Sequence, residues 1–214
     1  MSDFTDFFPT AGATSGGGGA SGILKQHRII TSGTLDLTTL GIADGDTIGL
    51  MVVGGGSMGL YSNSAHIGGS GGGVWKGSVT IGTAGTVTAT IGAGGTSVVP
   101  NQNGSPSILS GGGLPITINT GNSYRFDGLG YSQPLITPGT LYNGMGGYKN
   151  SSQDVSNAPG SGIDGYGIGG TASSGASVTT LNTTAYVNSG RGGDGDSSPD
   201  TRNGFSGVII IFYS

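Results

Sequence analysis

Cysteine is absent from this 214-residue chain, and so is glutamate: all 11 acidic side chains are aspartate. Without cysteine there is no disulfide and no thiolate metal site, and redox compartment leaves no mark on the sequence. Aspartate favours turns where glutamate favours helices, so an acid set made only of Asp argues against helical structure. Charge is scarce as well. Seven Lys and Arg against 11 Asp give a net charge of −4, and the scattered basic residues exclude a nucleic-acid-binding face. No apolar run approaches the roughly 18 residues of a membrane span, so no membrane insertion is expected. The N-terminus lacks the charged start and apolar stretch of a signal peptide.

What the chain has in excess is glycine, 49 residues, with eight prolines, against an average glycine share of roughly 7%. Such a composition overlaps that of disordered chains, but those combine low hydrophobicity with many charges. Here only 8% of residues are charged. The apolar residues are gathered into compact runs such as Leu50-Met51-Val52-Val53 and Val208-Ile209-Ile210-Ile211-Phe212. Runs of this kind can be buried, and an ordered chain follows.

Two regions are expected. Residues 1–21 place Phe4, Phe7 and Phe8 ahead of a Gly/Ala/Ser linker containing Gly16 to Gly19. Exposed phenylalanines need a cover, so they read as a hydrophobic anchor on a flexible tether. Residues 22–214 form a glycine-rich β domain. Strands are expected at Thr31 to Leu37, Thr47 to Val53, Val74 to Ile81 and Thr86 to Ile91. The last two alternate cleanly, with Val79 and Ile81, then Val87, Ala89 and Ile91, each on one face. Thr83-Ala84-Gly85 between them reads as a hairpin loop; Asp44-Gly45-Asp46 and Ala93-Gly94-Gly95 read as turns. Residues 119–203 are a polar excursion rich in Gly, Ser, Asn, Thr and Tyr. Residues 204–214 return to the core as a closing strand. The fold class expected is all-β: an antiparallel β-sandwich or jelly-roll-like core with almost no α-helix.

Glycine tracts recur at Gly54–Gly56, Gly68–Gly73, Gly92–Gly95, Gly111–Gly113, Gly146–Gly147, Gly165–Gly170 and Gly190–Gly195. No strict Gly-X-Y period runs through them, which excludes collagen. They read either as loops or as packed polyglycine-II helices with three residues per turn. The ordering entropy of glycine is large, so packing requires many tracts side by side, and seven are present.

Chemistry is nearly, but not quite, present. Gly54-Gly55-Gly56-Ser57-Met58-Gly59 is a literal GxGxxG, yet no helical face follows it and no acid stands about 20 residues on. No cofactor is expected. Asp194, Asp196 and Asp200 offer oxygen ligands to Ca²⁺, but without a following Glu or EF-hand spacing they read as a solvated turn. His27 and His66 share no metal-binding spacing. No nucleophile elbow or placeable carboxylate pair points to catalysis. The expectation is a chain with no catalytic, cofactor or metal site.

Residues 47–118 resemble the glycine-rich domain of bacteriophage tail-fibre and tail-tip proteins. A strand runs into a tract at Leu50–Gly56, and an aromatic strand follows a second tract at Gly71-Gly72-Gly73-Val74-Trp75-Lys76-Gly77. A strand pair ends in Ile91-Gly92-Ala93-Gly94-Gly95-Thr96, and Ser-Gly-Gly-Gly stands at Ser110 to Gly113. The closing Gly204–Tyr213 looks like that family's terminal strand. The pattern is also similar to the T-even-type adhesins, whose distal loops sit on stacked polyglycine-II helices, although the tracts here are shorter.

The resemblance implies a virion protein, a tail fibre or tip appendage that contacts a host surface glycan or outer-membrane protein. It also implies a homotrimer. Release by lysis fits the missing secretion signal. Within the excursion Tyr124, Tyr131, Tyr142, Tyr148, Tyr166 and Tyr186 combine rigid area with a polar tip among Asn, Ser and Gly, as recognition surfaces do. They serve equally as lids over glycine tracts. The alternatives are a neck, collar or capsid fibre with no receptor role, and a glycine-helix protein of ice-binding type unrelated to phage.

Overall fold

The computed structural model describes residues 25–62, 65–96, 103–120, 140–142, 148–150, 166–167, 188–193 and 203–214. Twelve strands lie among them: β1 (Lys25–Ile29), β2 (Gly33–Asp36), β3 (Thr47–Val53), β4 (Leu60–Ser62), β5 (Ala65–Ile67), β6 (Val74–Thr80), β7 (Thr86–Thr90), β8 (Ile108–Gly111), β9 (Ile118–Asn119), β10 (Thr140–Tyr142), β11 (Tyr148–Asn150) and β12 (Val208–Tyr213). The one helical element described is a 3₁₀ turn at Leu37–Leu40. The fold is all-β and every pairing is antiparallel.

The strands form a five-stranded sheet in the order β1-β12-β3-β6-β10, a four-stranded sheet β2-β7-β8-β9 and a three-stranded sheet β11-β5-β4. The closing strand thus returns to the interior of the five-stranded sheet, between β1 and β3. Its composition explains the position. Val208–Phe212 is apolar on both faces and fully buried, as is β3 from Ile48 to Val53, whereas β1 carries Lys25, Gln26 and Arg28 exposed at the sheet's edge. Charges on an edge strand discourage pairing with other chains.

Alternation along the central strands divides their side chains between two clusters. Ile48, Leu50 and Val52 of β3, Trp75 and Val79 of β6, and Ile209 and Ile211 of β12 face Val87 and Ala89 of β7, Leu109 of β8 and Ile118 of β9 in one core shared by the two larger sheets. Met51, Val53, Val74, Val208, Ile210 and Phe212 make a second cluster on the opposite face of the five-stranded sheet. Trp75 is completely buried in the shared core. A side chain of this size is the largest single contribution there.

Thr83-Ala84-Gly85 is not a hairpin loop. β6 belongs to the five-stranded sheet and β7 to the four-stranded one, so the segment carries the chain across the core. Its polar groups go elsewhere: Ala84 N–H donates to Asp44 Oδ1 at 2.7 Å, and the Gly85 carbonyl accepts from Leu37 N–H at 3.1 Å. Val79 and Ile81 still alternate into the same core as Val87 and Ala89, now from opposite sheets. The Asp44-Gly45-Asp46 turn forms, with Gly45 at φ +84° and Asp46 Oδ2 accepting from Ala43 N–H at 2.8 Å. The expected strand at Thr31 to Leu37 is shorter, because Leu37 enters the 3₁₀ turn capped by Asp36.

Candidate functional site

Beyond one end of the two larger sheets the strands run on as glycine-rich segments packed side by side. β3 continues into 54–58, and 68–73 leads back into β6. β7 continues into 91–96, and 103–107 leads back into β8. Residues 188–193 run outward, and 203–207 lead into β12. The chain therefore makes three out-and-back passes, each closing on a core strand.

The hydrogen bonds between passes repeat every three residues. Gly54 and Ser57 donate to the carbonyls of Gly73 and Ser70, Gly69 and Gly72 to those of Gly193 and Gly190, and Gly204 and Gly207 to those of Gly95 and Gly92, all at 2.7–2.9 Å. Between Gly54 and Ser57 the direction fans out: Gly55 donates to Ser105 and Gly56 to Phe205. A spacing of three with donors turning to successive neighbours is that of a three-residue-per-turn extended helix. Residues 54–57 lie at the middle, bonded to all the other segments: Gly56 and Ser57 accept from Gly95 and Gly193 in addition to the four donations.

Close approach, not positive φ, is what requires glycine here. A Cβ on Gly55 would collide with the Ala93 carbonyl, one on Gly56 with the Arg191 carbonyl, and one on Gly204 with the Gly56 carbonyl. None of these three glycines has positive φ. The tract Gly111–Gly113 is the opposite case: all three have positive φ, and it forms a sharp turn after β8 and stays out of the bundle. Ala93-Gly94-Gly95, expected as a turn, is a straight bundle segment, because its carbonyls and amides are shared with Ser105, Gly56 and Gly204.

Side chains close the bundle against the sheets. Ser107, fully buried, donates its hydroxyl to the Val53 carbonyl at 2.6 Å and accepts from Gly92 N–H at 2.9 Å. Arg191 is 3% exposed, with its guanidinium Nη1 donating to the Gly192 carbonyl at 3.1 Å. Ser57 Oγ donates to the Ser70 carbonyl at 3.3 Å.

The arrangement is polar. At the base, Lys25 pairs with Tyr213 and holds its ammonium 5.6 Å from that ring, while Thr47 pairs with Thr80. β1 starts here, at Lys25. At the far end of the bundle the outward segments run to Met58, Thr96 and Gly193 and the returning ones start at Gly68, Asn103 and Asn203, with β4 and β5 between Met58 and Gly68. A seven-residue strand at ~3.3 Å per residue followed by about four residues at ~3.1 Å sets these segment ends roughly 35 Å from the base.

The expected site residues are distributed unevenly over this frame. Tyr166 is half-buried against the second apolar cluster of the five-stranded sheet. Tyr142 closes β10 opposite Val74. Tyr148 opens β11 opposite Ile67 in the small sheet at the far end. Phe4, Phe7, Phe8, Tyr124, Tyr131 and Tyr186 lie outside the described residues, as do Asp194, Asp196 and Asp200. The GxGxxG motif leads into β4, not a helix, and the amides of Gly54, Gly55 and Gly56 are spent on neighbouring carbonyls, so they do not cradle a phosphate. Among the described residues no group of three His or acidic side chains is placed to hold a metal, and no helix is long and apolar enough to cross a membrane.

Sequence reasoning missed two bundle segments, 103–107 and 203–207, and the small sheet. The signal for the segments is an internal likeness, Asn103-Gly104-Ser105-Pro106-Ser107-Ile108 beside Asn203-Gly204-Phe205-Ser206-Gly207-Val208. The signal for β4 and β5 is two three-residue runs, Leu60-Tyr61-Ser62 and Ala65-His66-Ile67, separated by two residues. Neither a family model nor a curated protein matches the chain.

Proposed function

We propose that this chain is a structural protein of a phage particle, a tail fibre or tip appendage that binds the host surface and does no catalysis. In this reading a β-sandwich, formed by the five- and four-stranded sheets, carries a polyglycine-II lattice, and the lattice holds three chain reversals out as the receptor surface. The N-terminal segment, through Phe4, Phe7 and Phe8, docks on other virion proteins. The receptor is a host surface glycan or outer-membrane protein, and three copies assemble on the particle.

The observation that supports this most is the polarity of the molecule. β1 starts at the base, and the three bundle passes run out to the opposite end. A rigid scaffold that gathers its connections at one pole is the usual way to present a binding surface. A lattice whose donors are bonded between segments also resists bending better than loops do.

The test is adsorption. Residues 97–102 and 194–202 are each replaced by Gly-Ser linkers of equal length, which keeps every bundle segment. Labelled full chain is then applied to a panel of bacterial strains. The reading requires that the wild-type chain bind a subset of strains and that the double replacement weaken this binding at least tenfold without lowering the melting temperature. Equal binding by both proteins, or binding to no strain, refutes the host-contact role.

A further inference from the structure

The three-stranded sheet at the far end of the bundle sets residues from two distant stretches of sequence in one row. Tyr61 on β4 is in register with His66 on β5, and His66 with Lys149 on β11. The rows on either side are Leu60–Ile67–Tyr148 and Ser62–Ala65–Asn150. Successive residues of a strand alternate between faces, so Tyr61, His66 and Lys149 share one face, and both flanking rows share the other. With strands ~4.8 Å apart, the row spans roughly 10 Å.

The composition of the row stands out in this chain. Seven Lys and Arg and two His are spread over 214 residues. Among the described residues, β1 collects three of these nine at the base, and Arg191 is enclosed in the bundle. At the far end, the strand registers set a lysine and a histidine in one row with a tyrosine. β11 comes from the polar excursion, and its pairing with β5 is what completes the row.

We propose that Tyr61, His66 and Lys149 form a subsite for an acidic saccharide, a sugar bearing a carboxylate or phosphate, within the host-contact surface. This rests on the host-contact reading and names its ligand class. Lysine supplies a point charge for the anion, histidine a ring N–H donor in either charge state, and tyrosine a rigid apolar area with a polar tip. One cation and one imidazole suit a single anionic sugar. A nucleic acid needs a basic patch to neutralise many phosphates, and a chain of net charge −4 repels it. The ordinary role of such a row is cross-strand stabilisation of a small sheet, and the test separates the two.

Full-length chain is titrated calorimetrically with three soluble tetrasaccharides of one linkage: neutral, uronic-acid-containing and phosphorylated. We expect binding of one or both charged sugars and about tenfold weaker binding of the neutral one, with the two charged arms identifying the anion. Lys149→Ala weakens the charged sugar about fivefold, and Lys149→Arg restores it in part. His66→Ala and Tyr61→Phe each weaken it, while Lys76→Met, on β6, leaves it unchanged. Melting temperature stays within a degree or two in all four row variants. The inference fails if the neutral sugar binds as well as the charged ones, or if Lys149→Ala binds normally. It also fails if the variants lose stability in proportion to binding. No charged sugar bound by a chain that still adsorbs to cells refutes the subsite alone; loss of cell adsorption altogether refutes the host-contact reading.

Discussion

Ser107→Ala isolates the joint between the sheets and the glycine bundle. The Ser107 hydroxyl donates to the Val53 carbonyl at 2.6 Å and accepts from the Gly92 amide at 2.9 Å, and the residue is fully buried. Val53 is the last residue of β3, and Gly92 belongs to the second outward pass, so one hydroxyl ties the first pass to the second where both leave the core. Alanine fills nearly the same space but leaves the buried Gly92 amide without its acceptor and removes one bond to the carbonyl of Val53, a residue that also pairs with Val208 on β12. An orphaned buried donor costs about 1–3 kcal/mol, so the substitution predicts a loss of about 2 kcal/mol. For a chain of this length that is a fall of roughly 6 °C in melting temperature, since 1 kcal/mol shifts it by about 2–4 °C. Thermal unfolding followed by near-ultraviolet circular dichroism measures it, with Ser105→Ala as the control. Ser105 is exposed and bonds through its backbone, so its substitution stays within about 0.5 kcal/mol. Equal melting temperatures for the two variants refute the reasoning.

One further outcome follows from the geometry of the bundle and two from the proposed function. Gly55→Ala drives a methyl group into the Ala93 carbonyl and lowers the melting temperature by several degrees, whereas Ala93→Ser, at an exposed position, leaves it unchanged; a tolerated Gly55→Ala contradicts the packing. Replacing Phe4, Phe7 and Phe8 together by Ser removes side chains whose burial is worth about 1.5–3 kcal/mol each, and purified particles then carry little of the protein; normal incorporation rules out the anchor. Light scattering of the full chain is expected to give three times the monomer mass, and a monomer both in solution and on the particle ends the trimer proposal.

How far the sequence reveals this fold depends on which physical signal each element uses. β3, β6, β7 and β12 are legible because β-branched and apolar residues either alternate or run unbroken, and burial then follows on one face or both. β1 is not, since Lys25, Gln26 and Arg28 mark it as polar chain, and only its pairing with β12 makes it a strand. The Thr83–Gly85 link misled because hairpin logic reads the turn but not the partner: two amphipathic strands joined by a short loop can also face one another across a core. Glycine tracts are ambiguous in the same way. Gly54–Gly56 and Gly111–Gly113 look alike in sequence, yet one is a straight segment with negative φ and the other a turn with three positive φ values. The difference lies in neighbours contributed by residues far along the chain.

The candidate site was legible only in outline. Composition sets the excursion apart from the core but does not reveal its contribution to the fold. Within it β10 pairs with β6, β11 pairs with β5, and 188–193 is a bundle segment. The row Tyr61–His66–Lys149 exists only through two strand registers. No local pattern around Lys149 announces its pairing with His66. The sequence marks Tyr166 equally for contact with a receptor and for a packing lid, and it lies against the apolar face of the five-stranded sheet.

The central claim is that the glycine segments are an ordered, hydrogen-bonded lattice and not loops, and amide hydrogen exchange read residue by residue tests it most directly. The amides of Gly54, Gly55, Gly56, Gly69, Gly72, Gly95, Gly190, Gly193, Gly204 and Gly207 all donate to backbone carbonyls, and the account predicts protection comparable to that of β3 and β12. Exchange of these ten amides at the rate of an unstructured glycine peptide, while β3 and β12 stay protected, contradicts it.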